Sequence, residues 1–298
     1  VAIADEMNRF SIRDIENLTG IKAHTIRIWE QRYGIMQARR TVTNIRYYDA
    51  ADLKLALRIA LLNNYGYKIS RISSMNEQEM NSLIQKITDK DFKLQLIVNE
   101  LLEATLAMDT GHFELLLNMY LKKHGMEHTM ESLVFNFLEK IGLMWMTDRL
   151  FPAQEHLVSN IIYRKLALAI EQLPLQPAQT PEILLFLPEG EIHDIGLQYV
   201  NYLLLKKGKQ TIYLGPNAPL SEIQFVYDAK HPKYIYLHLT SIVEEFDGNK
   251  YLQQLSGMFP DTTIFVSGAM LTSRKYKASS NMRFFYNLTE ARNAIIAL

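Results

Sequence analysis

The stretch from Leu173 to Pro181 holds three prolines, Pro174, Pro177 and Pro181. Proline lacks an amide hydrogen and clashes with the preceding turn, so no helix runs through such a segment. It separates two parts of different rhythm. From residue 76 to 173, Leu, Ile, Met and Phe recur at three-and-four spacing with few breakers. This predicts helices at 76–87, 89–107, 110–124, 127–145 and 153–173, punctuated by Gly111, Gly125 and Pro152. A four-helix bundle is the simplest packing for such a run. After the prolines, short apolar runs appear at 183–187, 211–214, 234–238, 262–266 and 283–286. Helical patterns within 192–207, at 220–229 and 249–258, and a last one at the end lie between and after them. Strands alternating with helices predict a parallel, doubly wound, Rossmann-like sheet. Ligands on such sheets sit beyond the carboxyl ends of the strands, here the loops 188–196, 239–248 and 267–273. No Gly-x-Gly-x-x-Gly follows the first strand, which argues against NAD or FAD.

The first 75 residues follow another pattern. Ser11-Ile-Arg-Asp-Ile-Glu-Asn-Leu18 predicts a short amphipathic helix with Ser11 as its N-cap and Ile12, Ile15 and Leu18 on one face. Gly20 supplies a tight turn. Ile21, Ile26, Trp29 and Tyr33 then form a second apolar stripe, read as core, while His24, Arg27, Gln31 and Arg32 take the other face. Two short helices joined by a glycine turn, the second cationic, suit the major groove of DNA. Arg39-Arg40-Thr41 and Arg46-Tyr47-Tyr48 flank a polar hairpin, and Asp49 caps a helix running to about Asn64. This order of helix-turn-helix, basic wing, Arg-Tyr-Tyr and helix resembles the MerR family of transcription regulators over roughly residues 9 to 75. The DNA contacts expected are Lys22, His24, Thr25, Arg27, Arg32, Arg39, Arg40, Arg46 and Tyr47.

Charge supports that division. The net charge is zero, yet residues 1–75 hold twelve bases and seven acids, and the rest holds the opposite excess. Only the first part carries the electrostatic footprint of phosphate contact. The excess is modest, and a dimer is the natural route to useful affinity. There is no cysteine, which removes disulfides and thiolate metal sites. No apolar run reaches the length of a membrane span and no signal peptide is read, so the cytoplasm is expected.

The first predicted strand leads into Glu191-Ile-His193-Asp-Ile-Gly196. A histidine there, with glycine three residues on, suits a flat cofactor. The imidazole ligates a metal, and Gly196 lets a bulky tail pass close to the backbone. Glu191 is placed to hold the other imidazole nitrogen, as carboxylates behind metal-bound histidines do. Upstream, Trp145 is followed after nine residues by Glu155-His156, near the end of one bundle helix and the start of the next. His124 and His128 are one helical turn apart but lack a third ligand, so they read as surface. Met126, Met130, Met144 and Met146 read as bundle packing.

With these residues the resemblance extends over the whole chain, to the light-responsive, cobalamin-dependent MerR-type repressors of carotenoid genes (the CarH/LitR type). It implies a winged helix-turn-helix at 1–75, a four-helix bundle at 76–175 and a cobalamin-binding-type sheet domain at 182–298. It implies that Trp145, Glu155 and His156 cap the upper face of the cofactor. In that family Asp-x-His-x-x-Gly carries the lower cobalt ligand. His193 and Gly196 match it, and Glu191 replaces the aspartate. The family's Ser-x-Leu becomes His238-Leu239-Thr240, with Thr240 or Ser241 left to offer a hydroxyl. Its glycine pair becomes Gly268-Ala269. Met146 stands where the light-responsive proteins have a histidine.

The reading is therefore a non-enzymatic, ligand-responsive regulator. It binds double-stranded operator DNA as a homodimer or larger homo-oligomer. It senses a corrinoid (adenosylcobalamin or another) held by His193 between bundle and sheet. Two alternatives stand beside it. One is a MerR-type regulator whose degenerate sensor takes another small molecule or a protein. The other is a corrinoid-carrier module of a methyltransferase.

Overall fold

The computed structural model describes residues 9–174, 182–240, 246–273 and 275–296. Within the predicted linker, residues 175–181 lie outside the described residues, as does Ser241. The chain divides into two units between Ile161 and Ile162.

The first unit opens with α1 (Ile12–Thr19), which starts where Ser11 accepts from the Asp14 amide and Asp14 accepts from the Ser11 amide. This reciprocal cap satisfies two orphan donors of the first turn. Gly20 ends α1 in the left-handed conformation, at φ 75°. α2 (Ala23–Tyr33) follows and stops at Gly34, φ 67°. Ile15, Leu18, Ile21, Ile26 and Trp29 are buried together with Phe10 and Tyr48. Tyr33 is only partly buried, with the Arg32 guanidinium 5.5 Å from its ring centre. It sits in the last turn of α2, so the apolar stripe ends at Trp29. β1 (Arg39–Arg40) and β2 (Arg46–Tyr47) pair antiparallel as the wing. α3 (Ala50–Asn64) begins at Asp49 with a second reciprocal cap, to Asp52. A short turn of helix, α4 (Ile69–Ile72), leads to α5 (Glu77–Lys86), capped by Asn76.

The bundle contains α6 (Lys90–Leu106), α7 (Thr110–His128), a π-helical turn (Thr129–Val134), α8 (Phe135–Met146) and α9 (Pro152–Glu171). α6 packs against α7 and α8 on one side and α3 on another, and α1 packs on α8. The predicted break at Gly125 is a kink: its φ 76° and ψ 172° lie off the helical region, and α7 resumes to His128. Met130 and Met144 are buried and Met126 is partly buried. Met146 does not pack as expected and is 74 % exposed. Two residues on from Met144 is more than half a turn, so burying Met144 turns Met146 outward.

The second unit holds a five-stranded parallel sheet in the order β4-β3-β5-β6-β7. The strands are β3 (Ile183–Pro188), β4 (Thr211–Ala218), β5 (Tyr234–His238), β6 (Thr263–Ser267) and β7 (Met282–Phe285). Between and after them lie α10 (Ile195–Lys206), α11 (Leu220–Lys230), α12 (Gly248–Met258), α13 (Met270–Ser273) and α14 (Leu288–Ile296). All six residues of β3 are buried, as a central parallel strand covered on both faces requires. β4 lies on one side of β3 and β5 on the other, so the order reverses between β3 and β5. That reversal is the switch point at which such sheets receive ligands.

Candidate functional site

The DNA-facing side of the first unit is built on α2 and the wing. Lys22, His24, Arg27, Arg32, Arg39, Arg40 and Arg46 are exposed, and Thr25 and Tyr47 are partly so. Several are already oriented. Lys22 Nζ lies 3.1 Å from Glu16, Arg39 pairs with Asp49, and Arg40 Nη1 donates to Asn44 Oδ1 at 2.8 Å across the wing tip. The Arg9 guanidinium stands 4.7 Å from the Tyr47 ring centre. Sequence reasoning missed the organiser of this surface, Glu30. Its carboxylate accepts from Tyr48 Oη at 2.9 Å and from the Ala38 amide at 3.2 Å, and lies 3.7 Å from Arg46. One acid within the basic helix thus ties α2 to the wing. Burial and this carboxylate push the Tyr48 phenol well above its usual range. The available signal was Glu30 itself, the only acid in Ala23–Tyr33.

The bundle presents the second group. Trp145 lies in the last turn of α8, 46 % exposed, and Glu155 and His156 lie in the first turns of α9. His156 Nε2 is 3.5 Å from Glu155 Oε2. Beneath them the buried Gln154 accepts from the Phe151 amide at 3.0 Å and donates to the Leu106 carbonyl at 2.9 Å. This fixes the start of α9 to the end of α6. His124 and His128 are exposed and form a column with Tyr120, the two imidazole centres 5.0 Å apart. Among the described residues no group of three or more His, Asp or Glu is arranged to hold a metal ion.

The third group occupies the carboxyl end of the sheet. Glu191, in the loop after β3, is fully buried. One carboxylate oxygen accepts from the His193 amide at 2.9 Å and lies 2.7 Å from His193 Nδ1. The other accepts from the Thr240 amide at 3.1 Å, so Glu191 joins the loops after β3 and β5. A carboxylate on Nδ1 makes that nitrogen the protonated one, and Nε2 then carries the lone pair that a metal takes. Asp194 receives the Tyr213 hydroxyl at 3.1 Å, and burial raises its pKa above the usual carboxylate value. Gly268, at φ 115°, lies so close to Leu239 that a side chain there would meet the Leu239 carbonyl at 2.1 Å. The structure thus brings Glu191, His193 and Thr240 into one hydrogen-bonded cluster, with Gly196 and Gly268 at its edges.

A partly exposed imidazole oriented from behind by a buried carboxylate fits the cobalt of a corrinoid. Trp145, Glu155 and His156 belong to the first unit and the loop residues to the second.

Residues 10–79 match the MerR HTH family regulatory protein model, and residues 72–170 match the B12 binding domain model. The chain thus joins a MerR-type helix-turn-helix region to a B12-binding region. The second match covers the bundle, the part that carries Trp145, Glu155 and His156. Two curated relatives from Myxococcus xanthus run along most of the chain. One, the HTH-type transcriptional repressor CarH, is 24 % identical over 89 % of this chain and 91 % of its own length. The other, the HTH-type transcriptional repressor CarA, is 27 % identical over 72 % of this chain and 70 % of its own. Among solved structures, the monomethylamine corrinoid protein of Methanosarcina barkeri superposes with a TM-score of 0.51 at 18 % identity. It covers 68 % of this chain and 98 % of that one, a likeness of fold. Among the described residues no helix is long and apolar enough to cross a membrane.

Proposed function

We propose that this chain is a corrinoid-responsive transcription regulator without enzymatic activity. α2 and the wing bind a two-fold operator in the cytoplasm, and the chain acts there as a homodimer or larger homo-oligomer. Repression is the sense carried by both curated relatives. The observation that carries the sensing role is the Glu191–His193 pair at the switch point of the sheet. His193 would hold the cobalt of the corrinoid, Glu191 would fix its tautomer, and Trp145, Glu155 and His156 are the bundle's own candidate cofactor residues. The corrinoid would supply a cobalt ion whose ligand set depends on its chemical state. Two-fold operators mirror two-fold proteins, and one helix-turn-helix contacts too little surface for useful specificity.

The test uses the full chain with and without adenosylcobalamin. Bound cofactor is followed by its absorption spectrum, DNA by fluorescence anisotropy and size by sedimentation. A corrinoid-dependent change in operator affinity is expected, with at least a dimer on DNA. His193→Ala should alter the bound spectrum, since a nitrogen ligand to cobalt would be lost. Operator binding that ignores the corrinoid would sink the sensing role, and a spectrum unmoved by His193→Ala would put the cobalt on another ligand or on the cofactor's own base.

A further inference from the structure

Gly196, in the first turn of α10, and His238, the last residue of β5, face each other across the switch-point crevice. The His238 ring fills the space that glycine leaves. A methyl group added to Gly196 would lie 2.3 Å from His238 Nε2, well inside any real contact. The ring is also held from behind. Tyr236 Oη donates to Ser267 Oγ at 2.7 Å, and Ser267 Oγ lies 2.7 Å from His238 Nδ1. A neutral ring accepting at Nδ1 completes this chain and turns its N–H toward Gly196. Enclosure favours the neutral form, taking the His238 pKa down to about 4.

A complete cobalamin meets a volume problem here. When a protein imidazole takes the lower cobalt face, the cofactor's own base must leave that face and find room in the protein. Gly196, three residues from His193, is where the backbone leaves room beside that ligand, and the His238 ring fills it. Resting on the corrinoid reading above, we propose that His238 is a specificity residue closing this crevice to the nucleotide base. The sheet unit then takes a corrinoid that lacks the base in preference to complete cobalamin. The complete cofactor enters only after the ring swings out and gives up its bond to Ser267. The base-free cofactor uses His193 and leaves His238 in place.

The full chain is titrated in the dark with adenosylcobinamide and adenosylcobalamin, which share the upper ligand and differ in the nucleotide. Binding is read by visible absorption and by calorimetry. The expected result is a preference of about tenfold or more for adenosylcobinamide, equivalent to about 1.4 kcal/mol. His238→Ala should tighten adenosylcobalamin by about tenfold and leave adenosylcobinamide within about twofold, with His238→Ser as the milder second variant. Equal affinities in the parent protein, or a preference for adenosylcobalamin, overturn the proposal. So does a ratio unmoved in a variant that circular dichroism shows to be folded. Should both variants misfold, the parent's ratio decides alone. Failure of both compounds to bind removes the corrinoid reading itself, and the specificity with it.

Discussion

Arg149 Nε donates to Asp14 Oδ2 at 2.8 Å, joining the turn after α8 to the first helix of the DNA-binding region. The same Asp14 oxygen accepts from the Ser11 amide at 2.6 Å and so completes the cap of α1. The Asp14 side chain is 5 % exposed, and Arg149 follows Trp145 by four residues. The α1 cap and the turn after α8 therefore share one carboxylate. Arg149→Ala leaves a buried carboxylate without its cation. A loss of about 1–3 kcal/mol in unfolding free energy is expected from urea titration. Arg149→Lys should recover only part of it, since the ammonium lacks the planar fork. An unchanged midpoint and slope for Arg149→Ala would show that water replaces the guanidinium at no cost.

Arg27 and Arg40 lie on the exposed face of α2 and on the wing. Arg27→Ala or Arg40→Ala should weaken operator binding by about 1–3 kcal/mol where a base contact is lost. A lost phosphate contact should instead weaken all sequences alike and flatten the salt dependence. Anisotropy across a salt series separates the two outcomes. If both variants follow the parent throughout, α2 and the wing are not the reading surface.

The acid stability of the sheet unit should follow His238. Burial is the cause of its pKa of about 4, only partly opposed by the Glu191 charge, against 6.5 for an ordinary histidine. Between these values the unfolded chain binds a proton that the folded one does not. Stability therefore rises with pH across this window and is lost as pH falls from about 6.5 towards 4. The slope due to this residue is at most about 1.4 kcal/mol per pH unit. Unfolding measured from pH 4 to 8 should show His238→Asn with a shallower slope than the parent. Parallel slopes would place the acid sensitivity elsewhere.

Met146 bears on light. It is exposed beside Trp145, and a thioether is a soft ligand, poorer than imidazole for oxidised cobalt. Illumination of adenosylcobalamin-loaded protein should give no change in assembly, or one that reverses readily in the dark. Sedimentation and absorption before and after light check this. A persistent species with two protein nitrogens on cobalt would mean that another histidine, His156 foremost, serves in its place.

Local signals carried much of the fold. The caps at Ser11 and Asp49, the left-handed turn at Gly20 and the five strands all follow from short-range pattern. Helix caps, glycine turns and alternating apolar runs act over a few residues, so they are written where they occur. The Glu191–His193 pair was legible for the same reason, its members being two residues apart. Met146 was misread as packing because spacing alone does not say which side of α8 faces the core.

What the sequence by itself determined is the order and type of the elements and the residues able to ligate or to carry charge. The tertiary structure alone decided which distant residues meet. Glu30 gathers Tyr48 and the Ala38 amide, and Asp14 receives Arg149 from 135 residues away. His238 comes to rest on Gly196 because β3 and β5 pair across the crossover. The physical reason is range. Backbone preference and periodicity are local, whereas burial of a carboxylate or closure of a crevice depends on side chains that only the folded packing brings together.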